Sequence, residues 1–69
     1  MEVTLRYTVF SFEDGVGVVM FEHYCPTVKA ARLVAARFQS YVIYDRMTGK
    51  VVASRGISPE WLAREFPGS

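Results

Sequence analysis

The sequence predicts an α+β domain of order ββαββα, a four-stranded antiparallel sheet ordered 2-1-3-4 with one long helix on one face and a short C-terminal helix. Three observations lead there. Val3, Leu5, Tyr7 and Val9 alternate with Glu2, Thr4, Arg6 and Thr8, the period of two of a half-buried strand. Asp14-Gly15 and Arg46-Met47-Thr48-Gly49 each divide a pair of β-rich runs. Thr27 after Pro26, and Ser58-Pro59-Glu60, each start a helix after a hairpin.

Asp14-Gly15 suits a two-residue hairpin turn because both central positions need positive φ, and the β-rich run Val16 to Tyr24 follows it. If Glu13 opposes Val16, Val9 faces Met20 and Leu5 faces Tyr24 on one side, while Phe10 faces Val19 and Thr8 faces Phe21 on the other. Both faces near the turn are then apolar.

Thr27 caps a helix running to about Gln39, with Val28, Ala31, Val34, Ala35 and Phe38 on one side and Leu33 off the stripe. Ser40 to Arg46 and Lys50 to Ser54 form the second hairpin. There Gly49 takes a left-handed conformation, Asp45 bonds loop amides, and the register sets Tyr44 against Val51 and Ile43 against Val52. Ser58 supplies an oxygen cap, Pro59 the first helical position and Glu60 a charge suited to the helix dipole, and about two turns follow before Pro67-Gly68. A right-handed crossover from the second strand to the third places the third beside the first, so strands two and four are edges. The helix bearing Trp61, Leu62 and Phe66 either covers the second sheet face or extends the layer of the first helix.

Sixty-nine residues make one domain, residues 1–69, and a chain this short leaves its stability thin without a disulfide, a metal or self-association. Cys25 is the single cysteine, so no intrachain disulfide forms. The composition is 51% hydrophobic and 22% charged, with a mean hydropathy of +0.14, as in a folding chain. Glu2 stands where a signal peptide carries basic residues, and charges break every apolar run short of a membrane span, which reads as cytoplasmic. The net charge is +1, unevenly spread: Arg6 stands against Glu2, Glu13, Asp14 and Glu22 early in the chain, and Lys29, Arg32, Arg37, Arg46 and Lys50 against Asp45 in its middle.

No motif for catalysis, a cofactor, a metal or a phosphate cradle stands out. Glu22-His23-Tyr24-Cys25-Pro26 is the one cluster with reactive groups, but a nucleophile also needs an orienting group and an oxyanion hole, and zinc needs more than Cys25 and His23. A small packed thiol is the plainer reading. The expectation is therefore a non-enzymatic interaction or regulatory module without a cofactor. It docks through an apolar sheet face at Phe10, Phe12, Val19 and Phe21, or through a sheet edge, onto another protein or a second copy of itself as a homodimer. The alternative is a nucleic-acid binder that uses the basic helix residues Lys29, Arg32 and Arg37. Trp61, Leu62 and Phe66 read as core anchors.

Overall fold

The computed structural model describes residues 4–12 and 19–68. Its elements are β1 (Tyr7–Phe12), β2 (Val19–Cys25), α1 (Val28–Ala35), β3 (Ser40–Asp45), β4 (Lys50–Arg55) and α2 (Pro59–Glu65), the expected order. The strands form one antiparallel sheet ordered β2-β1-β3-β4. The Asp14-Gly15 turn, the Glu13 to Val16 pairing and the side chains of Val19 and Met20 fall outside the described residues.

Burial explains why β1 and β3 are central. Neighbouring residues on a strand point to opposite faces. Thr8 and Val9, Ser11 and Phe12, and Val42 and Ile43 are nevertheless all buried, so both faces of these strands are covered. In β4 no residue is buried, as suits an edge.

The cover on the first face is α1. Thr27 Oγ1 accepts the amide of Ala30 at 3.1 Å, the cap expected at this position. Ala31 and Ala35 turn to the sheet and close a core with Val9, Cys25 and Ile43, joined by Tyr7, Val34, Tyr41 and Ala53. Because these helix residues are so small, Cα atoms of α1 come within 8 Å of Cα atoms in β1, β2 and β3. The helix is shorter than expected. Arg37 N–H donates to Val34 O at 3.2 Å and Phe38 N–H to Ala35 O at 3.0 Å, so the last turn tightens to three-residue bonds and ends before Gln39.

The register of the first hairpin also differs from expectation. Val9 faces His23, not Met20, Thr8 faces Tyr24, not Phe21, and Phe12, not Phe10, faces Val19, with a bulge between Ser11 and Phe12. An offset of three residues is odd, so it exchanges the faces of β2. Phe21, His23 and Cys25 consequently share the α1 side with Tyr7, Val9 and Ser11, while Glu22 and Tyr24 share the other side with Thr8 and Phe10. In the second hairpin Tyr44 does face Val51, but Ile43 faces Ala53, because Val52 is an extra residue at a bulge.

Asp45 ties the chain's start to this hairpin. Its carboxylate accepts from Arg6 Nε at 2.9 Å and Nη2 at 2.8 Å, and Oδ1 also accepts the Met47 amide at 2.9 Å, as expected for a residue bonding loop amides. Gly49 closes the turn at φ 74, donating to Asp45 O at 2.8 Å. At the far end Gly56 has φ 72, and a Cβ there would lie 2.6 Å from Ser40 Oγ, so glycine is what lets β4 lead into α2.

Hydrogen bonds from the Arg6 guanidinium, and then from the Met47 and Thr48 amides, hold Asp45 well below the usual carboxylate range, against the opposing effect of burial. A carboxyl depressed by folding stabilises the fold above its unfolded value of about 3.9 and loses that contribution as the pH falls toward its folded value. Asp45→Asn should therefore unfold at lower urea than the parent at pH 7, with the gap narrowing below about pH 4 as the carboxyl of the unfolded parent takes up a proton that the folded state does not. A gap independent of pH would contradict this account.

Candidate interaction surface

The open question of the second face is answered by α2. Ser58 Oγ accepts the amide of Trp61 at 3.2 Å and Pro59 occupies the first turn, so the helix starts where cap chemistry places it. Trp61 then meets Phe12 edge-on, with ring centroids 5.2 Å apart at 81°. Phe66 lies 5.9 Å from Phe10 and 5.2 Å from Tyr44. Both sheet partners of Phe66 lie on the face opposite α1, as does Phe12, so the two helices sandwich the sheet.

The second cover is looser than the first. Among the described residues no Cα of α2 approaches a strand Cα within 8 Å, and no residue of α2 is buried. Trp61, Leu62 and Phe66 are all half-buried. Such long side chains hold the helix away from the sheet, where the alanines of α1 allow close approach. The gap opens into a groove of about 310 Å³ lined by Val51, Pro59, Leu62, Ala63 and Phe66. Beside it runs β4, whose outer backbone has no neighbouring strand among the described residues, with Val52 exposed at its bulge. Pro59, Leu62, Ala63 and Phe66 have the spacing i, i+3, i+4, i+7 of a single helix face, a signal present in the sequence. That the stripe would line an open groove depended on how far α2 stands off.

The aromatic residues expected to form one apolar surface do not lie together. Phe12 is 6% exposed beneath Trp61, and Phe10 is half-buried against Phe66. Phe21 is 56% exposed but lies on the α1 side, ending a row in which His23 sits 6.3 Å from Phe21 and 5.7 Å from Phe38. For Val19 only the backbone, in β2, is described. The basic residues Lys29, Arg32 and Arg37 are exposed on or just beyond α1, which has no acid in its first turn. Leu33, off the apolar stripe, is 67% exposed between them.

Around Cys25 the groups with reactive chemistry are arranged as packing. Cys25 is buried in the α1 core, and burial pushes its thiol up, away from the thiolate a nucleophile needs. Glu22 is engaged by Tyr24, whose hydroxyl donates to Oε2 at 2.8 Å, and that bond raises the phenol's pKa. The Arg46 guanidinium lies 5.5 Å from the Tyr24 ring centroid. Ser11 Oγ and His23 Nε2 are buried with no hydrogen-bond partner among the described residues, a cost of about 1–3 kcal/mol for each such group. Among the described residues no three histidine, cysteine or acidic side chains gather into a metal site, and no helix is long and apolar enough to cross a membrane.

Trp61→Ala should cost about 2 kcal/mol, below the range for a fully buried tryptophan because the ring is half-buried. Urea denaturation followed by circular dichroism measures it, and an unchanged midpoint would mean that Trp61 does not hold α2 to Phe12. Comparison with known proteins leaves the reading to these residues: no family model, curated protein or solved structure matches the chain.

Proposed function

We propose that this chain is a small non-catalytic interaction module that docks onto another protein through the β4 edge and the groove between β4 and α2. The observation that carries this is the continuity of two unsatisfied features. A strand backbone unpaired among the described residues runs directly beside an apolar groove lined by Val51, Leu62 and Phe66. Strand addition uses such a pair, with main-chain bonds supplying affinity and a side-chain pocket supplying selectivity. A cytoplasmic setting goes with the reading, since the single cysteine is a free, buried thiol.

The test uses residues that line the surface without supporting the core. Ala63 is exposed and Val52 is the extra residue of the bulge. Ala63→Lys and Val52→Lys should keep the parent's circular dichroism and lose the proteins that the parent captures from its native host. Lys29→Glu, on α1, should keep them. Equal capture by all variants would overturn the reading.

A second reading, nucleic-acid binding by α1, has the exposure of Lys29, Arg32 and Arg37 in its favour. It requires affinity that falls steeply with salt and drops on reversing Lys29 and Arg32. A flat salt response discards it.

A further inference from the structure

We infer that the segment taken up by the β4 edge is an extended strand of another protein with carboxylates at positions i and i+4 and apolar side chains at i+1 and i+3. The inference rests on the docking reading above and supplies the chemistry of the partner. The register of β4 fixes the pattern. Lys50, Ala53 and Arg55 face Asp45, Ile43 and Tyr41, which places them on the α1 side of the sheet, whereas Val51 faces Tyr44 on the α2 side and lines the groove. Val52 is the extra residue, so the run from Lys50 to Arg55 spans the same length as the four-residue step from Asp45 to Tyr41 on β3. A regular strand added outside β4 keeps that four-residue step. Its residues i and i+4 then fall beside Lys50 and Arg55, and i+1 and i+3 lie on the α2 side, one beside Val51, which lines the groove, and the other beside Ser54.

Both cations are available to such a strand. Lys50 and Arg55 are exposed, and α1 lies over β1, β2 and β3 rather than over β4. The one ion pair among the described residues joins Arg6 to Asp45, so neither Lys50 nor Arg55 is paired there. Opposite charges directly across a strand pair favour the pairing, and like charges oppose it.

The same pair of charges disfavours a second copy in this register. Two-fold pairing of β4 with itself, centred on Ala53 for full overlap, sets Lys50 against Arg55 of the second copy twice. The other edge, β2, offers a single acid, Glu22, where this pattern needs two. The occupant is therefore a different chain with acids bracketing an apolar core.

The probe is a synthetic end-capped peptide with the core Asp-Val-Thr-Val-Asp, which reads the same pattern in either strand direction, beside its counterpart Lys-Val-Thr-Val-Lys. Each is titrated against the full chain, followed by Trp61 fluorescence and by backbone amide shifts. The acidic peptide should bind about tenfold more tightly than the basic one, shift the amides of β4 and α2, and weaken with salt. Arg55→Glu should narrow that preference. Lys50 is left unchanged because an acid there would face Asp45. Equal binding of both peptides overturns the charge pattern while the docking reading stands. Failure of both peptides also overturns the pattern, and the capture experiment with Ala63→Lys then decides separately whether the docking reading survives.

Discussion

Everything in this fold depends on β1 and β3 being buried on both faces. Consecutive buried residues at Thr8 and Val9, and again at Val42 and Ile43, leave no solvent side to the middle of the sheet. A chain of 69 residues must therefore supply two covers from two short helices. It makes them differently. One is close-packed through alanines, with its core completed by Val9 and Ile43. The other stands off on aromatic rings, Trp61 on Phe12 and Phe66 on Phe10 and Tyr44. Aromatic pairs tolerate a range of angles and still bury large areas, so the looser cover can shield the sheet without filling the space beside it. The groove follows directly from that choice.

Polar and close contacts fix the two ends of the edge strand β4. Asp45 is the densest of these, joining Arg6, the Met47 amide and the turn to Gly49 at the β3 to β4 hairpin. At the opposite end Gly56 passes so close to Ser40 that no side chain fits. Between them these contacts set both ends of β4 and the direction in which the chain enters α2. The edge strand is in this way held by its ends, while its middle carries only half-buried and exposed residues.

Much of this was legible in the residues themselves. The chemistry of Thr27, Ser58, Pro59, Asp45 and Gly49 acts over a few residues, so caps and turns could be read locally, and the strand order followed from the connections. Register was less accessible. Counting outward from Asp14-Gly15 misplaces β2 by two residues at Phe12 and, past the bulge at Ser11/Phe12, by three, and the bulge at Val52 shifts the second hairpin. Bulges carry no reliable sequence mark, yet each moves side chains between faces. This is why Phe21 lies apart from Phe10 and Phe12, although all three had looked like one surface. The groove was harder still, since the stripe Pro59, Leu62, Ala63, Phe66 is visible in the sequence but the distance at which Trp61 and Phe66 hold the helix is not.

The two edges of the sheet differ in charge, and the difference bears on what can join each of them. Free strand edges invite sheet-to-sheet association, and proteins blunt them with charge and with bulges. Strand β4 has both devices, Lys50 and Arg55 at its ends and Val52 between them. Strand β2 is bulged as well, opposite Ser11 and Phe12, but its one charged residue is Glu22, and Phe21 and Tyr24 are exposed on its two faces. Cations at both ends of β4 oppose an identical edge because identity repeats the charge. They do not repel a strand of opposite charge whose spacing matches, and beside the groove they leave it an apolar surface to occupy. On the docking proposal, guarding an edge and selecting what joins it are the same arrangement of residues seen by two different neighbours.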